Sequence, residues 1–305
     1  MSRDDEAIEI EGVRLSSPDR VLWDEQGITK RALAEYYQAV ARWMLPHVTD
    51  RPLTLIRCPQ GQEKYCFVQR RVSEGFPDFI HRVKVDVNDK EGEAVHIAVD
   101  SLPGILYLVQ IGVLEIHGWG ARRDRLDRPD RMIFDLDPDK EIPFSAVIEA
   151  ALEVRARLKG LGLESFVKTT GGKGLHVVVP LARSATWEQV HGFSRALAEE
   201  MAARSPEKYL ADASKAERTG RIYVDYVRNG YSATSVTPYS TRARAGAPVS
   251  TPLTWSELEK GITPGDFNVL TVPERLRRLK KDPWRGIATT KQSLTKAVRA
   301  GLGVQ

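Results

Sequence analysis

The sequence has little sulfur: two cysteines, Cys58 and Cys66, and four methionines in 305 residues. The cysteines have neither CxxC spacing nor a companion pair, which argues against zinc and against a disulfide-stapled secreted fold. Free buried thiols in a reducing compartment are expected. Long apolar runs are missing too. No stretch could span a bilayer, and the start, Met1 to Glu6, lacks the apolar core of a signal peptide, so no membrane partner and a cytoplasmic location are expected. No GxGxxG occurs. The one loop that combines glycines with lysine has Gly174 after Lys173, where a P-loop needs Ser or Thr.

What is present is ample. Apolar residues make up 42% of the chain, enough for a real core in one large domain or two ordinary ones. Lys and Arg number 45 against 41 Asp and Glu, and the modest excess gathers in the second half, which suits a polyanionic partner. The most informative stretch is Arg131-Met132-Ile133-Phe134-Asp135-Leu136-Asp137-Pro138. Read with period two, Asp135 and Asp137 share one face of a strand while Met132, Phe134 and Leu136 share the other. Two like charges one pleat apart repel, and a divalent cation such as Mg²⁺ or Mn²⁺ would hold both ionised. A solvated strand end entering an Asp-Pro turn is the plainer alternative.

Along the chain, Ile8 to Leu15 alternates as a strand, and Thr29 reads as the N-cap of a helix through Met44, with Arg20 and Lys30 flanking its entry. These two cations suit either a solvated face or a phosphate contact. In Tyr65 to Arg71 aromatic and basic residues interleave, as in a half-buried edge strand or in a surface that stacks single-stranded nucleic acid. Val83 to Val99 alternates again about a turn at Asp89 to Gly92. Ser101 caps a buried helix, Ile105 to Ile116, that delivers His117 to the surface between Glu115 and Gly118. A second amphipathic helix, Pro143 to Leu161, precedes the strand–loop–strand Phe166 to Pro180. Within it, Thr170, Gly171, Gly172, Lys173 and Gly174 could cradle phosphate or form a plain hairpin, and His176 follows on the next strand. After a helix from Trp187, Asp225 interrupts an apolar strand and needs a partner, either a metal or a salt bridge to Arg218 or Arg228. Arg242 and Arg244 fall on one side of an extended segment, where paired guanidiniums suit a triphosphate or a nucleic-acid backbone. Residues after Trp284 lack a firm pattern.

His117, Asp135-Leu136-Asp137-Pro138, Gly171-Gly172-Lys173-Gly174-Leu175-His176, Val224-Asp225-Tyr226 with Arg228-Asn229, and Pro238 to Arg244 occur in the order found in the polymerase domain of bacterial ligase D, which they resemble over roughly residues 8 to 285. That domain belongs to the archaeo-eukaryotic primase superfamily. The resemblance implies a mixed α/β primase-polymerase fold with an RRM-like catalytic sheet: an N-terminal module at about residues 8–100, a catalytic core at 101–285 and a tail or linker at 286–305. It implies a nucleotidyl transferase that extends primers and fills gaps in non-homologous end joining, often with ribonucleotides and Mn²⁺. By the same likeness Asp135, Asp137 and Asp225 would hold two metal ions, and His117, Thr170, Lys173, His176, Arg218, Arg242 and Arg244 would bind the NTP or dNTP. Lys30 and Arg20 would meet the 5′-phosphate, and Phe67 the template. The implied partners are DNA with 5′-phosphorylated gaps or breaks, Ku, and an ATP-dependent ligase in cis or in trans, at the nucleoid. Thr170 stands for the usual serine, Arg20 for a lysine, and Phe67-Val68 for a pair of phenylalanines; Gly118 and Gly120 also depart from the pattern. A stand-alone primase-polymerase, or a non-catalytic module that binds 5′-phosphorylated ends, are the other readings.

Overall fold

The structure, a computed structural model, describes residues 7–86, 93–212 and 218–304. They form two compact units: one from the chain up to Asp124 with Thr234–Thr251 and Gly265–Lys280, the other from Arg125–Ala233, Pro252–Pro264 and the chain from Lys281. The first unit thus runs past the helix Leu102–Gln110 and the strand Val113–Trp119 and takes in two later segments. Strand pairing explains this, because Thr234–Val236 adds to the edge of Val113–Trp119.

The first unit holds a six-stranded sheet in the order Thr234–Val236, Val113–Trp119, Leu53–Arg57, Glu93–Ala98, His81–Asp86, with Phe67–Gln69 also paired to Leu53–Arg57. Helix Lys30–Val48 is capped by Thr29, whose hydroxyl accepts from the Ala32 amide at 3.1 Å. It buries Leu33, Tyr37, Val40 and Met44. Ile8–Leu15 is a hairpin of two short strands, not one, because Glu11 and Gly12 turn at positive φ. The turn expected at Asp89 to Gly92 lies outside the described residues.

Two further expectations fail in this unit. The buried helix ends at Gln110, and residues Val113–Trp119 form a strand. Gly112 explains the break: it turns at φ 80°, and a Cβ there would stand 2.8 Å from the Pro59 backbone, so only glycine fits. The cysteines are not free thiols either. Cys58 and Cys66 form a disulfide with Cα atoms 4.3 Å apart. Register is the reason: Arg57 pairs with Phe67 across the strands, which leaves the next residues, Cys58 and Cys66, facing each other at the mouth of the loop.

The second unit is a six-stranded sheet in the order Tyr209–Leu210, Ile222–Asp225, Arg131–Pro138, Leu175–Pro180, Phe166–Thr169, Pro252–Leu253. Its four main strands and the helices Phe144–Gly160 and Trp187–Arg204 run β-α-β-β-α-β along the chain, with the first and third strands at the centre and the last beside the first. This is the split βαβ plan, the RRM-like sheet that the motifs implied. The segment after Trp284 is not a loose tail. Trp284 is buried and donates its indole N–H to the Val167 carbonyl at 2.8 Å, Leu294 is buried, and the Gln292 side chain donates to the carbonyls of Glu164 and Pro180. Its apolar residues are too widely spaced to show a period, so only packing reveals them.

Candidate active site

Register assembles the chemistry of the second unit. On the central strand Arg131–Pro138, Asp135 faces His176 on one neighbour and Asp225 on the other. The His176 Nε2 stands 3.3 Å from an Asp135 carboxylate oxygen. The Arg228 guanidinium bridges the acidic pair, with Nε 3.1 Å from Asp225 and 3.7 Å from Asp135. Burial works against ionisation of Asp135, yet the charges of His176, Arg228 and Lys168 prevail and draw its pKa down to about 2. Asp225 moves the other way. Burial, and then the Asp135 charge beside it, raise its pKa, although the Val227 amide donates to its carboxylate at 2.8 Å. Burial first, and then the nearby Lys168 charge, push His176 down to about 4, so it is neutral at neutral pH. Its Nδ1 is buried with no hydrogen-bond partner among the described residues.

Asp137 lies on the same strand face, but it is exposed and paired with Arg218 at 2.8 Å. Arg218 in turn stacks over the Tyr223 ring, 4.3 Å from its centroid, and the Tyr223 hydroxyl donates to Asp225 at 3.4 Å. Both arginines named as alternative partners therefore engage carboxylates: Arg228 takes Asp225, and Arg218 takes Asp137. Among the described residues no three His, Cys, Asp or Glu side chains form a ready metal cage. The donor set still fits a hard divalent cation, because Asp225 resists ionisation chiefly through burial and the Asp135 charge, and a cation between them reverses the second effect.

Beside the carboxylates, the Thr170 hydroxyl donates to the Gly174 carbonyl at 3.1 Å and accepts from the Gly172 amide at 3.2 Å, closing the glycine loop. Gly174 is indispensable to that closure: a Cβ there would meet the Leu136 carbonyl oxygen at 2.5 Å. Lys173 is exposed and reaches the Lys140 carbonyl at 3.2 Å. Lys168, buried opposite His176 in register, was not singled out from the sequence, where it is one lysine among many in a strand.

The first unit carries the other candidates. On the strand Val113–Trp119, Glu115 and His117 share a face, and the His117 Nε2 stands 2.7 Å from the Glu115 carboxylate. The same oxygen lies 2.9 Å from Arg242 Nε, and the Ala243 amide donates to the other oxygen at 2.9 Å. Burial would raise the Glu115 pKa, but His117, Arg242 and the Ala243 amide bring it down to about 2. Arg242 and Arg244 do not lie side by side on an extended segment. Thr241 pairs with Val249, and the Ala247 amide bonds back to the Arg244 carbonyl, so Arg244 stands exposed in a turn while Arg242 is drawn to Glu115.

Lys30 is buried, not solvated. It donates to the carbonyl of Ser16 at 2.9 Å and that of Gln110 at 3.3 Å, and burial, with the neighbouring Arg20 charge, lowers its pKa to about 8. Arg20 is exposed and donates to the Pro59 carbonyl at 3.0 Å, within the loop that the disulfide closes. Phe67 is stacked with exposed Tyr65, ring centroids 6.0 Å apart, and Arg57 lies over its face. An open groove lined by Arg57, Phe67, Gln69, Arg70 and Arg71 runs beside them.

An RRM-like sheet with paired carboxylates at its centre and a basic glycine hairpin beside them defines a nucleotidyltransferase of the polymerase class. The family model described as LigD, primase-polymerase domain, matches residues 29–284, and the chain belongs to that family. It is 36% identical over 294 residues to the multifunctional non-homologous end joining protein LigD of Pseudomonas aeruginosa, covering 96% of this chain and 35% of the relative. Identity to the Mycolicibacterium smegmatis protein of the same name is 32% over 250 residues, covering 81% of this chain and 32% of that one. The chain thus spans about a third of the length of these curated relatives. Among solved structures, the polymerase domain from Mycobacterium tuberculosis ligase D in complex with DNA matches with a TM-score of 0.84 at 28% identity, over 90% of this chain and 98% of that one.

Proposed function

We propose that this chain extends DNA ends and fills short gaps in bacterial non-homologous end joining, adding ribonucleotides in preference to deoxynucleotides. The observation that carries this reading is the cross-strand pair Asp135 and Asp225, one held ionised and the other resisting, beside a basic glycine hairpin. Asp135, Asp137 and Asp225 would hold two divalent cations, Mn²⁺ or Mg²⁺, whose charge serves phosphoryl transfer by easing formation of the primer oxyanion and departure of pyrophosphate. Lys173, Thr170 and Arg218 would bind the triphosphate. His176 joins them by taking up a proton more readily when phosphate charge stands near, so that its unmet Nδ1 becomes a donor. His117, Arg242 and Arg244 would contact the nucleotide as well.

Lys30 and Arg20 are the proposed readers of a 5′-phosphate. Lys30 is held mostly charged at neutral pH among carbonyls, and Arg20 is exposed beside it. The Tyr65–Phe67 stack and its basic groove suit an unpaired template base. DNA with 5′-phosphorylated gaps or breaks, Ku and an ATP-dependent ligase would be the partners, at the nucleoid in the cytoplasm.

The test is primer extension on short-gapped DNA bearing a 5′-phosphate, with Mn²⁺ or Mg²⁺ and with ribo- or deoxynucleotides. Addition by the wild type that disappears in the Asp135→Ala, Asp137→Ala double variant supports the reading. Binding of gapped DNA without any addition would replace it with a non-catalytic end-binding module, and chain initiation without a primer would favour a stand-alone primase-polymerase.

A further inference from the structure

We infer that Glu115 is a positioning residue that clamps His117 and Arg242 in the orientation in which they meet the incoming nucleotide, an inference that rests on the nucleotide-binding reading of those two residues. Glu115 is 6% exposed, yet both its oxygens are engaged: one by His117 Nε2 at 2.7 Å and Arg242 Nε at 2.9 Å, the other by the Ala243 amide at 2.9 Å. An ionised carboxylate accepts only, so the hydrogen on the imidazole must sit on Nε2, and Nδ1 becomes the acceptor-capable nitrogen of the neutral ring. Arg242 meets the same oxygen as an ion pair, its Nε 2.9 Å away, so the charge of Glu115 holds the guanidinium beside the His117 ring.

A buried carboxylate is costly unless its partners repay the lost hydration, and an apolar side chain of similar size would fill the space without that cost. What the charge adds is geometry. It ties a strand residue, His117, to a residue more than a hundred positions away, Arg242, through one atom. Its backbone is equally held, since Glu115 pairs with Ile56 and the next amide, Ile116, donates to the Ser240 hydroxyl at 2.8 Å. The clamp is therefore rigid on both sides.

The experiment compares wild type with Glu115→Gln, Glu115→Asp, His117→Ala, Arg242→Ala and Glu115→Gln combined with His117→Ala, measuring KM for the nucleotide, kcat on gapped DNA and the urea midpoint. Glu115→Gln keeps the size and an acceptor for the Ala243 amide but loses the charge. It should raise nucleotide KM roughly tenfold or more while changing kcat less, and it should also lower the urea midpoint, because the fold favours the ionised carboxylate, so KM is the reading that decides. In the His117→Ala background its effect should shrink, because part of what it positions is gone. If His117→Ala and Arg242→Ala raise KM but Glu115→Gln does not, the clamp is refuted and the nucleotide reading stands. If none of the three moves KM, the nucleotide reading of this cluster fails, and the clamp with it. If both Glu115→Gln and Glu115→Asp lower the urea midpoint and leave KM unchanged, the residue is structural and the inference is overturned.

Discussion

Replacing His176 with Gln should flatten the dependence of stability on pH between 7.5 and 5.0. The His176 ring is buried 3.3 Å from Asp135, and its folded pKa is about 4 against the ordinary 6.5. Between those values the unfolded chain binds a proton that the folded chain refuses, so the stability this group contributes is complete above 6.5 and drains as pH falls towards 4. At pH 5.0 the difference amounts to about 2 kcal/mol, taking 1.36 kcal/mol per pH unit. Asp135 adds nothing in this window, because its pKa of about 2 and the ordinary 3.8 both lie below it. Asp225, whose pKa is raised, works in the opposite direction: stability is lost as pH rises through its folded value, and this contribution is carried by both proteins. Urea unfolding with a chelator present, at several pH values, measures the contrast. Wild type should lose about 2 kcal/mol more than His176→Gln on acidification to pH 5.0. Equal slopes would refute the claim that the ring is buried neutral beside Asp135.

Three further outcomes are expected. Asp225→Asn should cut nucleotide addition at least about a hundredfold while leaving the urea midpoint unchanged or higher, since it removes a carboxylate that repels Asp135. Gly174→Ala should cost about 1–3 kcal/mol in urea unfolding and raise nucleotide KM, because the new methyl meets the Leu136 carbonyl at 2.5 Å. Reducing the Cys58–Cys66 disulfide, or replacing Cys58 with Ala, should lower stability by roughly 2–3 kcal/mol for so short a loop. The same change should weaken gapped-DNA binding, measured by fluorescence anisotropy, since the loop carries the Pro59 carbonyl that holds Arg20 and leads into Tyr65 and Phe67.

Much was legible wherever a local rule applied. Period two placed Asp135 and Asp137 on one strand face, hydroxyl caps marked the helix starts at Thr29 and Ser101, and the glycines of the loop after Thr169 marked a hairpin. The strand after Gly112 was misread as helix because Val113-Leu114-Glu115-Ile116 is apolar enough for either state. Gly112, a residue that commonly ends a helix, stands just ahead of that run and is the signal against a continuous helix. The disulfide had a signal as well, two cysteines flanking a hairpin loop, but reading it required knowing which residues pair across the strands.

The amino-acid sequence by itself determined the acidic and glycine-rich motifs, because each is written in residues close together along the chain, and the order of those motifs carried the family and, through it, the expectation of an RRM-like sheet. Only the tertiary structure decided what each charge faces. Arg228 turned to Asp225, Arg218 to Asp137, Lys30 to the carbonyls of Ser16 and Gln110, and Arg242 to Glu115. Except for the first, these partners are separated by 14 to more than a hundred residues, and which ones meet depends on strand order and register. A local pattern sets which way a side chain points from its strand; the energy of a buried charge depends on what the rest of the fold brings within about 4 Å of it.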